Sequence, residues 1–306
     1  MKKMTGKNTL MLFLTAFIWG SAFVAQSVGM DYVGPFTFSC VRSFIGGIFL
    51  IPCIWFLDQW RAKNDGTEGE KKAVSKEEKK TELLGGICCG LALCVATNLQ
   101  QIGMQYTTVG KAGFITALYI VLVPIFGIFL KKKVEARIWV SVMISVVGLY
   151  LLCITDKLVL GKGDTLVLLC AVVFTVHILV IDYFSPKADG VRIACIQFFI
   201  TGILSAIPMF LFETPRLSDI FAAAVPVLYA GVLSSGVAYT LQIVAQKDAD
   251  PTVASLILSL ESVFSVLGGW VILGQKLSIR EIAGCILMFS AIILAQLPEK
   301  SKNEEA

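Results

Sequence analysis

Charge is what this sequence of 306 residues is short of: 16% of it is Asp, Glu, Lys or Arg, against 56% from the hydrophobic set. A soluble domain carries about 25% charged residues, because its surface must be covered with polar groups. The scarcity is also uneven, leaving long stretches with no charge at all. So many apolar stretches do not fit one soluble core. They fit a bilayer, whose hydrocarbon slab of about 30 Å takes roughly 20 apolar residues per helix. Histidine is scarcer still, with His177 as the single residue. One histidine, no H-E-x-x-H run and no paired intramembrane acids leave no nucleophile–base pair or metal cluster for an enzyme to use. No P-loop is present either, which argues against an ATP-driven pump. No cofactor, resident metal or nucleic-acid partner is implied, and oligomeric state is not legible.

Cysteine is not scarce, but its pattern is informative by what it omits. The nine cysteines are Cys40, Cys53, Cys88, Cys89, Cys94, Cys153, Cys170, Cys195 and Cys285. Their number is odd, all fall in apolar segments, and no C-x-x-C spacing occurs. They read as small polarizable packing residues.

Ten apolar segments follow one another: 10–29, 35–57, 83–104, 112–130, 138–154, 165–184, 193–212, 220–244, 252–273 and 281–296. They are expected to be helices, because an open sheet edge in lipid leaves backbone groups without partners. Lys2, Lys3 and Lys7 precede the first segment as in a signal peptide. No small-x-small cleavage site follows, so that segment is expected to stay as a transmembrane helix. The stretch from Asp58 to Glu82 alternates basic and acidic residues and is expected to be a solvated, mobile connector. With the N-terminus inside, nineteen Lys and Arg lie on the inner side and six on the outer, leaving Arg42 within the bilayer. The excess places both termini in the cytoplasm.

The chain also repeats itself. Cys40-Val41-Arg42-Ser43-Phe44-Ile45-Gly46-Gly47-Ile48 in helix 2 matches Cys195-Ile196-Gln197-Phe198-Phe199-Ile200-Thr201-Gly202-Ile203 in helix 7. Gly90, Gln101, Ile102 and Gln105 in helix 3 match Gly231, Gln242, Ile243 and Gln246 in helix 8, and Thr9-Leu10 matches Thr165-Leu166. Three matches in one order point to duplication, with residues 1–155 as one five-helix half and 156–306 as the other. Five crossings per half invert the second copy. The fold class expected is therefore an all-α polytopic membrane protein of ten transmembrane helices in two inverted repeats, an architecture recurrent in secondary transporters.

With that duplication, Trp19-Gly20-Ser21-Ala22-Phe23 and Leu260-Glu261 before an apolar run give the chain its resemblance to a known family. From residue 8 to about 296 it resembles the drug/metabolite transporter superfamily, EamA type. Two positions differ from the usual pattern: Ser262 stands where many members have Pro, and Gln275 where Gly-Glu is usual. The resemblance implies a carrier of amino acids, metabolites or drug-like compounds in the cell membrane, often an exporter.

Polar residues in the bilayer interior are the candidate substrate-binding set. Glu261, mid-way along helix 9, either pairs a cationic group, carries a proton as coupling ion, or holds a neighbouring helix. Arg42 either binds a carboxylate, pairs with Glu261, or reaches toward the interface. Cys94, Asn98, Gln101 and Gln105 lie on one face of helix 3, and Ser235, Tyr239, Gln242 and Gln246 repeat that spacing in helix 8. The stripes either line a two-sided cavity or join helices. Tyr119 shares a face with Thr116 and falls at the repeat position of Glu261, while Trp19 shares a face with Gln26. His177 reads as a packing residue. The candidates are thus Glu261, Asn98, Gln101, Tyr119, Tyr239, Gln242, Arg42 and Trp19. Pro124 and Gly268-Gly269 are expected bending points.

Overall fold

A computed structural model of the chain describes residues 4–64, 75–132, 134–153, 161–273 and 278–297. Lys2, Lys3, Lys133, Gln275 and the junction of the two halves at 155/156 lie outside the described residues. No strand occurs among the described residues. The crossings are α1 (Gly6–Gly29), α2 (Pro35–Asn64), α3 (Lys76–Gly103), α4 (Val109–Phe129), α5 (Ala136–Cys153), α6 (Lys162–Phe184), α7 (Gly190–Phe212), α8 (Ala224–Gln246), α9 (Pro251–Leu258 and Glu261–Leu273) and α10 (Ile279–Gln296). Nine of these are long and apolar enough to cross a membrane; the tenth expected one, α9, is interrupted at Ser259 and Leu260.

The Asp58–Glu82 connector is shorter than expected. Helix α2 runs on to Asn64 with Arg61 and Lys63 in its last turn, and α3 starts at Lys76 with Glu77 and Glu78 in its first. Both placements complement the helix dipole. Ser75 caps α3 by accepting from the Glu78 N–H at 3.0 Å. The charged residues thus extend two helices beyond the bilayer, and residues 65–74 lie outside the described part.

Outward-facing side chains are apolar, among them Leu10, Ile48, Ile207 and Ile293. Exposed Trp55, Trp60 and Tyr183 gather toward one end of the bundle, as interfacial aromatics do. The helices pack α5 on α10, α2 on α7, α3 on α6 and α7, α8 on α1 and α2, α1 on α9, and α4 on α6. Replacing each helix by the one five places on converts this set of pairs into itself.

Close approach needs small residues where no apolar solvent force draws helices together. A Cβ on Gly284 of α10 would stand 2.7 Å from the Gly148 carbonyl oxygen of α5. Ser141, Ser145 and Gly148, the small-residue face of α5, are all buried.

The α2–α7 pair is tied at both ends. Asp58 of α2 meets Arg192 of α7 at 2.6 Å, and Arg61 meets the cap residue Asp189 at 2.5 Å. Burial pushes the Asp189 carboxyl up, but hydrogen bonds from Arg61 and the Arg192 and Val191 N–H groups hold it below the usual carboxylate range. At the other end, Glu213 accepts from the Phe36 and Thr37 N–H groups at 2.8 and 2.7 Å, capping α2 from the end of α7. Lys132 and Asp182 form a further ion pair between α4 and α6.

Candidate functional site

The site begins with two broken helices. In α9, Ser255 and Ser259 turn their hydroxyls onto the Thr252 and Leu256 carbonyls at 2.8 and 2.7 Å. Such bonds compete with the main-chain ladder. The Leu260 N–H accordingly reaches Ile257 at 3.1 Å, and the Ser262 N–H reaches Ser259 at 3.2 Å, three residues back in each case. In α4 the same tightening occurs at Leu118, whose N–H reaches Ile115 at 3.2 Å. The expected bending points were Pro124 and Gly268-Gly269. Both lie within continuous helix, and the breaks fall before them.

Each second segment starts with a polar residue, Tyr119 in α4 and Glu261 in α9. The two meet: the Tyr119 hydroxyl donates to Oε1 of Glu261 at 3.1 Å, with both side chains buried. Glu261 thereby gains a hydrogen-bond donor at the start of a helical segment. The neighbouring Ser262 hydroxyl donates to the Gly113 carbonyl at 3.5 Å.

Around this contact lies a cavity of about 30 Å³. It is lined from α1 by Trp19, Ala22, Phe23 and Gln26, from α2 by Arg42 and from α3 by Gln100. Thr116 and Tyr119 come from α4, Phe174 and Ile178 from α6, Ser234, Tyr239 and Gln242 from α8, and Leu258 and Glu261 from α9. This space holds no more than a few water molecules. It is smaller than a small organic solute needs, so binding one requires the helices to part.

The walls are tied to one another. Trp19 donates through Nε1 to the Ser234 carbonyl at 3.4 Å and packs on Tyr239 with ring centroids 4.5 Å apart. Ser234 belongs to a π-helical stretch, Tyr229–Tyr239, whose wider turn is frequent at functional sites. Gln100 donates to the Thr116 hydroxyl at 3.2 Å. His177 stands behind Tyr239, fully buried, with Nε2 3.1 Å from Gln197 Oε1. Arg42 is 4% exposed, so it does not reach the interface; its guanidinium carbon lies 5.9 Å from the Phe38 ring centroid. A charge in mid-membrane costs about 2.5–3.5 kcal/mol on insertion scales. Two of them, Arg42 and Glu261, line this one cavity.

Six candidates from the sequence therefore come together: Trp19, Arg42, Tyr119, Tyr239, Gln242 and Glu261. Asn98 and Gln101 stand outside the lining. Asn98 donates to Ser205 of α7 at 2.8 Å, and Gln101 to the Gln26 carbonyl of α1 at 3.2 Å. Gln26 and Thr116, face-mates of Trp19 and Tyr119, do line it, as do Gln100, Ser234 and Phe174, which sequence reasoning did not single out. No cluster of three or more potential metal ligands exists among the described residues.

Fold and cavity together define an integral membrane protein with a cavity among its helices whose wall holds a buried acid and a buried cation. The model of the EamA-like transporter family matches residues 7–154 and again 161–297, and the chain belongs to that family. An uncharacterized transporter of Archaeoglobus fulgidus is 32% identical over 287 residues, covering 94% of this chain and 84% of the relative. The uncharacterized transporter YoaV of Bacillus subtilis is 22% identical, covering 94% and 96% of the two chains. A solved crystal structure superposes with a TM-score of 0.72 at 18% identity, covering 94% of this chain and 96% of that one, and bears on the fold alone.

Proposed function

We propose that this chain is a secondary transporter that exports small organic solutes across the cell membrane by alternating access around the Glu261 cavity. Amino acids, metabolites and drug-like compounds are the solutes in view. The observation that carries this reading is the Tyr119–Glu261 contact, where the breaks in α4 and α9 meet at the wall of one cavity. Carriers built from inverted repeats form their sites from discontinuous helices at the repeat interface. Rocking of one half against the other opens such a site to each side in turn. The small volume of the cavity is consistent with a contracted form between those openings. Glu261 is the acidic residue of the lining and is assigned as carrier of a coupling proton. Both termini are assigned to the cytoplasm on the excess of Lys and Arg there.

The test is untargeted metabolite analysis of medium and cytoplasm from cells producing the wild type or Glu261→Gln at matched membrane levels. At least one compound is expected to rise in the medium with the wild type and not with the variant. Flux equal to wild type from a well-inserted variant removes Glu261 from the mechanism. Accumulation in the cytoplasm instead would make the chain an importer, and matched opposite movement of two compounds an exchanger.

A further inference from the structure

Glu261 has a hydrogen-bond partner in the cavity wall, whereas the contact of the Arg42 guanidinium is with the Phe38 ring, 5.9 Å from its centroid. Among the described residues no hydrogen bond or ion pair reaches the Arg42 guanidinium, although the side chain is 4% exposed and lines the cavity. Its repeat counterpart, Gln197, is neutral and engaged with His177 at 3.1 Å. The first half thus presents a cation without an ion-pair partner where the second presents a neutral amide. A buried cation is costly unless it is paired, and among the described residues Glu261 shares the lining with Arg42 without forming an ion pair to it. That cost falls when an anion arrives from outside.

The surroundings narrow the anion. Trp19 Nε1, the Gln100 amide and the Tyr119 hydroxyl already donate to Ser234, Thr116 and Glu261. No second cation lines the space, and Gln242 adds a neutral amide. One planar guanidinium matches the two oxygens of a carboxylate bidentately. A phosphate would bring more oxygens and more charge than these donors satisfy. We propose that the solutes carried bear a carboxylate that docks on Arg42, with their apolar body against the Trp19 and Tyr239 rings. This rests on the carrier reading above and names its substrate class; Arg42 becomes the residue that sets specificity.

The test uses the purified full-length protein in detergent, with thermal unfolding followed against concentration for two matched series. One is phenylacetate, phenylacetamide and benzylphosphonate; the other is hexanoate, hexanamide and pentylphosphonate. The carboxylates are expected to stabilise the wild type, with the amides and phosphonates at least about tenfold weaker. Arg42→Gln is expected to lose the preference for carboxylate, and Arg42→Lys to keep a weakened part of it. The comparison within the wild type stands even where a variant fails to fold. Amides or phosphonates acting as well as carboxylates, or carboxylates stabilising Arg42→Gln as strongly as the wild type, overturn the assignment and leave the carrier reading intact. No response to any member overturns the carboxylate assignment. The metabolite experiment then decides the carrier reading separately.

Discussion

The hydroxyl of Tyr119 lies 3.1 Å from Oε1 of Glu261, joining two residues 142 positions apart at the interruptions of α4 and α9. The contact ties the halves of the chain at the wall of the cavity. The two residues stand at positions that the internal sequence match aligns, one with a phenol and the other with a carboxylate.

Tyr119→Phe removes the donor and leaves Glu261 Oε1 without its partner. Interhelical hydrogen bonds in membranes are worth about 0.6–2 kcal/mol. A loss of that order is expected in unfolding free energy, together with slower transport. Glu261→Leu, which removes the acceptor, added to Tyr119→Phe is expected to cost less than the two single changes summed, with a coupling of at least about 0.5 kcal/mol. A denaturation series on the four proteins measures this; strict additivity would mean the bond does not form.

How much of this was legible in the sequence differs between elements. Uncharged runs marked the helices because lipid demands that length of apolar chain and satisfies no backbone group. Their ends were less legible. Lys76–Glu82 and Asp58–Asn64 read as a loop because charge there signals water, yet a helix continues into water when capped and matched to its dipole, as at Ser75. The polar stripes were legible as faces but not as to what they face. On α3 the stripe through Asn98 and Gln101 meets α7 and α1, whereas Gln100 lines the cavity. Amides that join helices and amides that line a cavity follow the same periodicity. On α8 the π-helical stretch changes the number of residues per turn, so Ser234 takes the lining position expected of Ser235. That change of pitch leaves no mark in a 3.6-residue periodicity. Glu261 and Tyr119 were legible as equivalent positions of the repeat, but their contact was not, because alignment of two copies does not say which residues touch.

The two glutamines at equivalent repeat positions are expected to behave differently. Gln242 lines the cavity, while Gln101 is fully buried and donates to α1. Gln242→Leu is therefore expected to weaken apparent solute affinity by about tenfold, or about 1.4 kcal/mol, with unfolding nearly unchanged. Gln101→Leu is expected to lower stability by about 1 kcal/mol and leave affinity alone. Transport kinetics paired with denaturation separate the two. Equal losses of affinity would place both side chains in the solute's path.

Gly20 of α1 supports the site from behind. A Cβ there would stand 2.5 Å from the Glu261 carbonyl oxygen, 2.7 Å from the Phe264 Cβ and 2.9 Å from the Ser265 nitrogen. All three contacts are backbone or the root of a side chain, so no flexible tip can swing aside. Gly20→Ala must push the start of the second α9 segment away from α1, shifting Glu261 relative to Tyr119. Overpacking of this kind costs about 1–3 kcal/mol. The same change at Gly6, with nothing within 4 Å of its added carbon, is the control and is expected to be neutral or slightly stabilising. If Gly20→Ala retains wild-type stability and flux, α1 does not hold the α9 break in place, and the position of Glu261 must be set from the α4 side alone.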